Sequence, residues 1–548
     1  MNVSLTTSYR PSFAGGLRQL AKKSPLAGLS IGGLTFGERS PSHLLGTPPE
    51  LMLGDAATGQ IIMAGSLVCG GQRLPLVSMS DLTKQAGEHW LQHLHGFSWL
   101  RHLRRTGSLQ ARRHARSLIT GWIEANRQND AIAKRPEVLG RRLESWLTHF
   151  GFLAIDAPNE FTELLLSELA KEARRLAKRA AKGKADADRI AALKGLIYCG
   201  IALPAGDNYL HLGLRHLETE LARQIQADGG HFSRNPLIHF NVLQELVALR
   251  ETFKAAHFDT PLWLAGAITR MAPMLRAFRH ADGGLALFNG ARAGKPTDID
   301  AVLSKADVKG KALSSAPHSG FHRLSAGRTQ IILDAGAPPS KDANKWAHAG
   351  TLAFEMSAGH DRIIVNCGMP EMAPPDWRQA LRSTAAHSTI VVDDVNSSQI
   401  NLDGGYLRSP GHVTSSRREI DSSTIIEASY NGYNKPFGLT HRRLIMLAPD
   451  GGEIQGEDNL IGTGGHRFSL RFHLHPNVQA TVLQDKCSAL LKPRRGKGWR
   501  FTSTDRSIAL EESIYFDGNQ PRRRTQQIVV FGPLASASEI SKWRFSRI

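Results

Sequence analysis

The segment from 345 to 394 concentrates residue types that suit proton transfer. His348, His360 and His387 lie there among short β-type runs, and His348 and His387 have small neighbours in the sequences AHAG and AAHS. Small neighbours leave an imidazole accessible, and its ordinary pKa near neutrality suits a general acid or base. Each histidine also fits an ordinary polar position at a sheet edge, so the residue types alone leave both interpretations open.

The segment DGGHFSRNP, residues 228–236, is a second candidate because it combines His231, Arg234 and Asn235. One interpretation is a capped loop between two helices, with Ser233 or Asn235 as the cap. The other is a binding rim in which Arg234 holds a carboxylate in a bidentate pair and Asn235 donates to it.

Three smaller features also carry polar groups. Arg279 and His280, in FRHADGG, fit either an anion-binding corner or a helix C-terminus completed by glycine. His473 and His475 lie two apart on one strand face, which suits either a metal or a polar row. Tyr433, in NGY, is either a turn residue or a hydroxyl available for catalysis.

Length and charge set the outer limits. At 548 residues the chain is too long for one typical core, so two or three domains are expected. The net charge of +19 favours a polyanionic partner or a negatively charged surface. Residues 1–45 lack the apolar core of a secretory signal and predict a poorly ordered leader. We therefore expect a cytoplasmic protein without a transmembrane segment, with the periplasm or cell envelope as the alternative.

Two kinds of hydrophobic pattern divide the chain. Between about 88 and 290, apolar residues recur at three- and four-residue steps, which predicts repeated amphipathic helices in a bundle, array or toroid. From about 318 short β-type runs follow. The clearest, Arg467–His475, alternates apolar and polar residues and predicts a half-buried strand. A multidomain α+β fold with an antiparallel sandwich after the loop 292–318 follows from this change.

Motifs along the chain carry a resemblance to a known family. SGFHRLSAG, HAGTLAFEMSAG, IIVNCG, RSTAAHSTIVVDD, HRRLIML and RFHLHP occur in that order in the C-terminal half, with weaker motifs such as DRIAALKGLIYCGIALP in the helical half. In these motifs the chain resembles the heparinase II/III-like polysaccharide lyases. The resemblance implies an N-terminal α/α toroid, or incomplete helical barrel, over 46–317 and an antiparallel β-sandwich over 318–548.

The resemblance also implies a reaction, β-elimination at a uronic acid of an acidic polysaccharide. A base removes the proton at C5, and an acid assists departure of the glycosidic oxygen at C4. Fixed cations or hydrogen-bond donors must stabilise the charge that develops on the carboxylate. His348 corresponds to the catalytic histidine of the sandwich domain and is expected to be the general base or acid.

The metal ligands of the family are only partly matched. His387 matches one ligand position, whereas Gly350 and Asn366 stand where other members have histidine and aspartate. One ligand of three does not make a zinc site, so no structural zinc and no other cofactor is expected. His387 is then expected to hydrogen-bond within its own loop or to contact substrate together with Arg382.

The helical half departs further from the family pattern. Ile238 occupies the position of the catalytic tyrosine, and isoleucine cannot transfer protons. His231 or His239 is therefore expected to act instead, or Tyr430 or Tyr433 to reach in from the sandwich. A protein that binds glycans without cleaving them is the remaining alternative.

Arg189 stands in for part of an Asn-His pair at the start of a family helix, where it can bind a uronate carboxylate. The catalytic residues expected in total are His348, His231 and Tyr433. The expected substrate-binding residues are Arg189, Arg234, Asn235, His239, Arg279, His280, Arg382 and His387.

Three functions remain in competition. The leading hypothesis is a lyase acting on a uronate-containing polysaccharide, supported by the two-domain pattern, His348 and the basic charge. The missing tyrosine and altered ligands favour a non-catalytic glycan- or envelope-binding protein on a lyase scaffold. Arginine-rich helices, including 101–116, would suit nucleic acid, but the aromatic content is only 7% and no nucleic-acid motif is recognised, so no nucleic-acid partner is expected.

Overall fold

The computed structural model describes residues 40–76, 86–125, 130–180, 186–504, 506–518 and 521–548. Contacts divide the chain into two compact units, one of residues up to 220 with 245–265, the other of 221–244 with 266–548. Most of the leader predicted over 1–45 lies outside the described residues. The prediction is wrong for residues 40–45, because Leu44 is buried and the Leu45 N–H donates to the Ala202 carbonyl at 2.8 Å.

Helices make up most of the first unit and the first part of the second. Their amphipathic periods are those the sequence predicts, and proline starts four of them at the first turn, where no N–H is needed. The helices are Ala56–Met63, Glu88–Gly96, Leu100–Thr106, Leu109–Ala125, Pro136–Thr148, Phe150–Ala154, Asn159–Ala180, Ala187–Ala202, Asp207–Gln224, Pro236–Ala255, Leu262–Ala277, Pro296–Ala306, Pro375–Arg382 and Asn434–Phe437.

Close helix packing organises the first unit. A Cβ added at Gly195 would lie 2.5 Å from the Cα of Gly140, so helices Pro136–Thr148 and Ala187–Ala202 approach at a point where only glycine fits. Aromatic rings, among them Trp122 and Trp146 with centroids 5.7 Å apart, fill the neighbouring core. Within the described residues, no helix combines the length and apolarity needed to cross a bilayer.

Antiparallel strands dominate the rest of the chain. They are β1 (Ser66–Cys69), β2 (Gln72–Pro75), β3 (Ser315–Ala316), β4 (Phe321–Ala326), β5 (Thr329–Asp334), β6 (Phe354–Ala358), β7 (Asp361–Val365), β8 (Ile390–Val392), β9 (Gln399–Ile400), β10 (Tyr406–Arg408), β11 (Val413–Ile420), β12 (Ser423–Tyr430), β13 (Thr440–Leu447), β14 (Glu453–Ile461), β15 (Arg467–Leu474), β16 (Val478–Val482), β17 (Ser488–Pro493), β18 (Trp499–Ser503), β19 (Ile508–Tyr515), β20 (Arg523–Pro533) and β21 (Ser538–Arg547).

Two large sheets of the second unit form a sandwich. One has the order β19-β20-β15-β7-β6-β5-β4-β3 with β8 also paired to β15, and the other has the order β11-β12-β13-β14-β21-β18-β17-β16. Their inner faces share one apolar core, in which Phe354 of β6 stacks on Trp543 of β21 at 5.6 Å between ring centroids. The alternation predicted for β15 is confirmed, since Phe468, Leu470 and Phe472 are all buried.

The units do not divide at the predicted boundary near 318. Residues 221–244 and 266–317, assigned above to the helical domain, belong by their contacts to the unit with the sheets. The reason is polar pairing. The Asp228 carboxylate accepts hydrogen bonds from both the N–H and the hydroxyl of Ser319 at 2.7 Å, and Arg234 forms an ion pair with Asp334.

Candidate functional site

The loop that carries His348 is fixed by Arg382. The Arg382 guanidinium donates to the carbonyls of Ala347 at 3.0 Å, Gly405 at 2.9 Å and Asn401 at 3.2 Å. Because these three acceptors lie on two different loops, the buried guanidinium ties the loops together. Its expected role as a substrate cation is corrected to a positioning role.

His348 and His387 form a hydrogen-bonded pair. The His387 Nδ1 lies 2.7 Å from the Ser383 carbonyl, which can only accept, so Nδ1 carries the proton. The His387 Nε2 then accepts from the His348 Nδ1 at 3.0 Å. This arrangement fixes His348 as the neutral tautomer with its lone pair on Nε2. The expectation that His387 bonds within its own loop is confirmed.

The His348 Nε2 carries a lone pair that a ligand cannot reach in this structure. It is buried and has no hydrogen-bond partner within the described residues, and His348 as a whole is only 4% exposed. A Cβ added at Gly290 would lie 3.3 Å from this nitrogen, so the absence of a side chain there leaves the nitrogen its space. Because this nitrogen is buried, a sugar ring cannot contact its lone pair.

Burial lowers the basicity of both rings. Desolvation, followed by repulsion from His387 and Arg382, holds the pKa of His348 well below its ordinary value. Desolvation lowers the pKa of His387 to about 4, although the Ser383 carbonyl acts in the opposite direction. Both imidazoles are therefore neutral at neutral pH in the folded protein.

The free energy of unfolding should consequently fall as the solution becomes acidic. An unfolded histidine protonates near its ordinary value of 6.5, whereas folded His387 does so only at about 4. The contribution is complete above about pH 6.5 and is lost as the pH falls toward 4, by up to about 3 kcal/mol for this residue. Urea unfolding at a series of pH values between 7.5 and 4 would measure it, and His387→Asn should reduce the slope. Equal slopes for variant and parent would contradict the assignment.

Two residues that the sequence analysis did not single out complete the surroundings of His348. The Tyr406 hydroxyl donates to the His348 carbonyl at 2.6 Å, and the Asn289 side-chain oxygen accepts from the His348 N–H at 3.4 Å. Asn289 has a positive φ of 51°, which an asparagine tolerates better than most residues. The dipeptide Asn289-Gly290 was the available signal for such a turn.

Arg234 and Asn235 are near the residues around His348, but both side chains already have partners within the protein. Arg234 is buried, forms an ion pair with Asp334, and donates to the Ser319 carbonyl at 2.8 Å. Asn235 caps helix Pro236–Ala255 by accepting from the Ile238 N–H at 3.0 Å, as one interpretation of DGGHFSRNP predicted. Its amide donates to the Asn289 carbonyl at 2.8 Å. Neither side chain, as placed here, is free to bind the carboxylate of a substrate.

The histidines expected to replace the tyrosine are also engaged. The His231 ring nitrogens pair with the Ser233 hydroxyl at 2.7 Å and the Gln224 amide oxygen at 3.0 Å, and burial lowers its pKa to about 3. The His239 Nε2 donates to the Met271 carbonyl at 3.0 Å, and its pKa is lowered to about 4, chiefly by burial. Both rings are buried and hydrogen-bonded within the protein, and their proton-transfer roles stay predictions.

Tyr433 is a core residue. It is fully buried and its hydroxyl donates to the Ile390 carbonyl at 2.9 Å, which corrects the expectation of an available catalytic hydroxyl. Burial raises its pKa above the ordinary value. A tyrosine held in this way cannot deliver or accept a substrate proton.

The remaining expected cations and donors pair within their own units. In the second unit, Arg279 forms an ion pair with Asp300 at 2.8 Å, and buried His280 bonds to Glu355 at 2.9 Å. In the first unit, Arg189 pairs with Glu220 at 3.2 Å. Each of these side chains therefore has a carboxylate partner within the protein, and their substrate-binding roles stay predictions.

Gly350 and Asn366, which stand where other family members have metal ligands, have structural roles in this protein. A Cβ at Gly350 would lie 2.6 Å from the His387 ring, so a histidine at 350 would collide with His387 as it is placed. Asn366 donates to Glu355 at 3.3 Å and accepts from the Ser388 N–H at 3.0 Å. No cluster of three or more potential metal ligands occurs among the described residues.

Comparisons with known proteins identify the C-terminal domain. Residues 308–544 match the family model described as heparinase II/III-like, C-terminal, so the chain carries a domain of that family. The resemblance stated from the motifs and the fold class that it implied are both confirmed.

Individual relatives cover nearly the whole chain. FtsZ-localized protein C of Caulobacter vibrioides (strain NA1000 / CB15N) is 28% identical over 529 residues, covering 92% of this chain and 91% of the relative. Among solved structures, heparinase III matches with a TM-score of 0.71 at 14% identity, over 91% of this chain and 86% of that one. A mutant of heparan sulfate lyase HepC from Pedobacter heparinus matches with a TM-score of 0.65 at 16% identity, over 90% and 82%. At these identities the structural matches show the fold alone.

Proposed function

We propose that this protein is a non-catalytic, acidic-glycan-binding protein built on a polysaccharide lyase scaffold. The observation that carries the proposal is the burial of the ring nitrogen of His348, the residue expected to act as the base. The His348 Nε2 keeps its lone pair but is buried, and isoleucine stands at the position of the family tyrosine. Elimination needs a base at the C5 proton and an acid at the leaving oxygen, and among the described residues neither His348, buried as it is, nor Ile238 supplies them.

The arginines expected to meet a third requirement of the reaction already have partners within the protein. A uronate carboxylate must be neutralised before its neighbouring proton becomes acidic, and this takes a fixed cation or donor. Arg234, Arg279 and Arg189 are each paired with a carboxylate, and Arg382 is consumed by three carbonyls. Breaking the buried pair of Arg234 with Asp334 would cost several kcal/mol, which substrate binding would have to supply.

Two observations support the ligand class and the absence of turnover. The net charge of +19 attracts polyanions, and the scaffold is that of proteins such as heparan sulfate lyase HepC. The relative from Caulobacter is named for its location with FtsZ and not for a reaction. We carry that location over to this chain as part of the proposal.

The expected result in solution is glycan binding without product. The full chain, mixed with a panel that includes heparin, polygalacturonate and alginate, should bind at low ionic strength and release as salt screens the charges. It should generate no ultraviolet absorbance from a 4,5-unsaturated uronate. His348→Ala serves as the matched variant, and its binding should equal that of the parent. Absence of binding to every polymer would contradict the proposal.

A lyase is the second candidate, and one observation favours it. The Ser383–His387–His348 series of hydrogen bonds holds the imidazole in the tautomer that a general base requires. If the surrounding loops open, the lone pair becomes a base. Appearance of unsaturated product with the parent chain, and its loss with His348→Ala, would establish this candidate and exclude the first.

A further inference from the structure

Two tryptophans on the surface of the second unit hold cations over their rings. The Lys345 ammonium lies 4.8 Å, and the Arg378 guanidinium 4.9 Å, from the ring centre of Trp346, which is 42% exposed. The Arg522 guanidinium lies 5.0 Å from the ring centre of Trp377. An indole ring attracts a cation placed over its face, so these long side chains are restrained at the surface.

The charges in this group are not neutralised. Trp377 and Arg378 are consecutive on helix Pro375–Arg382, so this helix carries one residue from each of the two tryptophan contacts. Within the part of the chain that the structure describes, Lys345, Arg378 and Arg522 form no ion pair with a carboxylate. Arg234, which is buried and paired with Asp334, shows the opposite arrangement.

A cavity of about 490 Å³ adjoins one end of the group. Arg522 and Arg524 line it together with the hydroxyl-bearing Ser513 and Thr525, and Glu512 contributes one carboxylate. Its volume lies within the range of small-molecule sites. Two guanidinium groups against one carboxylate leave the cavity with an excess of positive charge, suited to an acid group on a sugar-sized unit.

We propose that the cation–tryptophan strip, defined as Lys345, Trp346, Trp377, Arg378 and Arg522, binds the acid groups of a uronate-containing glycan, with one acidic unit seated in the adjoining cavity. This inference rests on the function proposed above and names the surface responsible. Charge complementarity selects an acidic over a neutral glycan.

The tryptophan geometry favours this ligand over single-stranded nucleic acid. Proteins that bind single strands present aromatic rings on which bases stack. In the strip both rings already carry cations, so the rings serve to place positive charge rather than to receive a base. Carboxylates spaced along a polysaccharide match such a row, since guanidinium groups pair well with carboxylates.

The test removes the charges of the strip from the full chain. Lys345→Gln, Arg378→Gln and Arg522→Gln together should weaken binding of heparin and polygalacturonate by about tenfold or more at low ionic strength. The matched control is Lys492→Gln, Arg494→Gln and Arg495→Gln, three exposed cations at the end of β17 and in the turn that follows it. The control removes the same net charge and should change affinity less than about threefold.

Each other result has a distinct meaning. Equal losses of glycan affinity in the two triple variants would overturn the proposal that the strip is the binding site, because binding would then depend on net charge alone. Unchanged affinity of the strip variant would also overturn it, while the proposed function would stand on the parent's binding. No glycan binding by the parent would overturn both. Tighter binding of single-stranded DNA than of any glycan, lost in the strip variant, would assign the strip to nucleic acid and reject the glycan.

Discussion

Asp458→Asn should lower the free energy of unfolding of this protein by about 3–5 kcal/mol. Asp458, in the sandwich core, accepts from the His441 Nε2 at 2.6 Å, the Arg443 Nε at 2.7 Å and the Trp543 Nε1 at 2.8 Å. Burial alone would raise the pKa of Asp458, but the Arg443 guanidinium and His441 more than offset it and hold the pKa below its ordinary value. The carboxylate is therefore charged and balances a fully buried arginine.

The size of the expected effect follows from what the substitution leaves behind. Asparagine keeps the shape of the side chain but presents no negative charge to Arg443, which then remains buried and uncompensated. Arg443 also donates to the Leu352 and Ser388 carbonyls, so it cannot swing into solvent without leaving these acceptors unpaired. The network joins β13, β14 and β21 and supports the loop that follows His348.

Urea or thermal unfolding of the full chain, followed by tryptophan fluorescence, would measure the change, since Trp543 belongs to the network. Asp394→Asn is the matched control, because Asp394 pairs with Arg467 on the surface with both side chains more than half exposed. Asp394 has a positive φ of 58°, which asparagine accepts, so this change should cost less than about 1 kcal/mol. Similar losses from the two substitutions would contradict the assigned role of Asp458.

Much of the fold could be read from local patterns. The alternation over 467–475 predicted a strand that the structure has at Arg467–Leu474. This prediction succeeds because period and turn chemistry are local properties of the chain. The helices predicted between about 88 and 290 likewise include Ala187–Ala202, with Asp186 as its N-cap.

The site could be predicted only in part. His348 and His387 were both singled out, but their contact at 3.0 Å joins residues 39 apart in sequence. The ion pair of Arg234 with Asp334 spans 100 residues. A cation seen in sequence gives no sign of whether a carboxylate from a distant strand will neutralise it, so residue type alone suggested substrate contacts where the fold makes internal ones.

His473 illustrates the same limit on a strand with the correct alternation. It lies on the polar face of β15, where the sequence suggested a metal site or an open polar row. The structure buries it, with Nδ1 2.8 Å from the Ser513 hydroxyl and Nε2 2.9 Å from the Ala385 carbonyl. The loop that covers this face comes from a distant part of the chain, and periodicity within one strand carries no information about it.

Arg234→Met should also cost about 3–5 kcal/mol of stability, because it leaves the buried carboxylate of Asp334 without its counter-charge. Burial already raises the pKa of Asp334 despite the attraction of Arg234. Without the guanidinium, Asp334 must either take up a proton or remain charged in the interior. The carbonyls of Ser319 and Gly320 lose their donor as well.

Combining Arg234→Met with Asp334→Leu removes both charges and should recover part of the loss, since two apolar side chains leave no buried charge. Arg223→Met, at the exposed pair of Arg223 with Asp342, is the matched control and should cost less than about 1 kcal/mol. Urea unfolding of the three variants beside the parent measures these changes in stability, and heparin affinity is measured on the same samples. A carboxylate clamp would give the opposite outcome: Arg234→Met would fold with parental stability and lose glycan affinity. If Arg234 serves an internal ion pair, its loss lowers the stability of the protein, because the carboxylate that it neutralises belongs to Asp334 and not to a ligand.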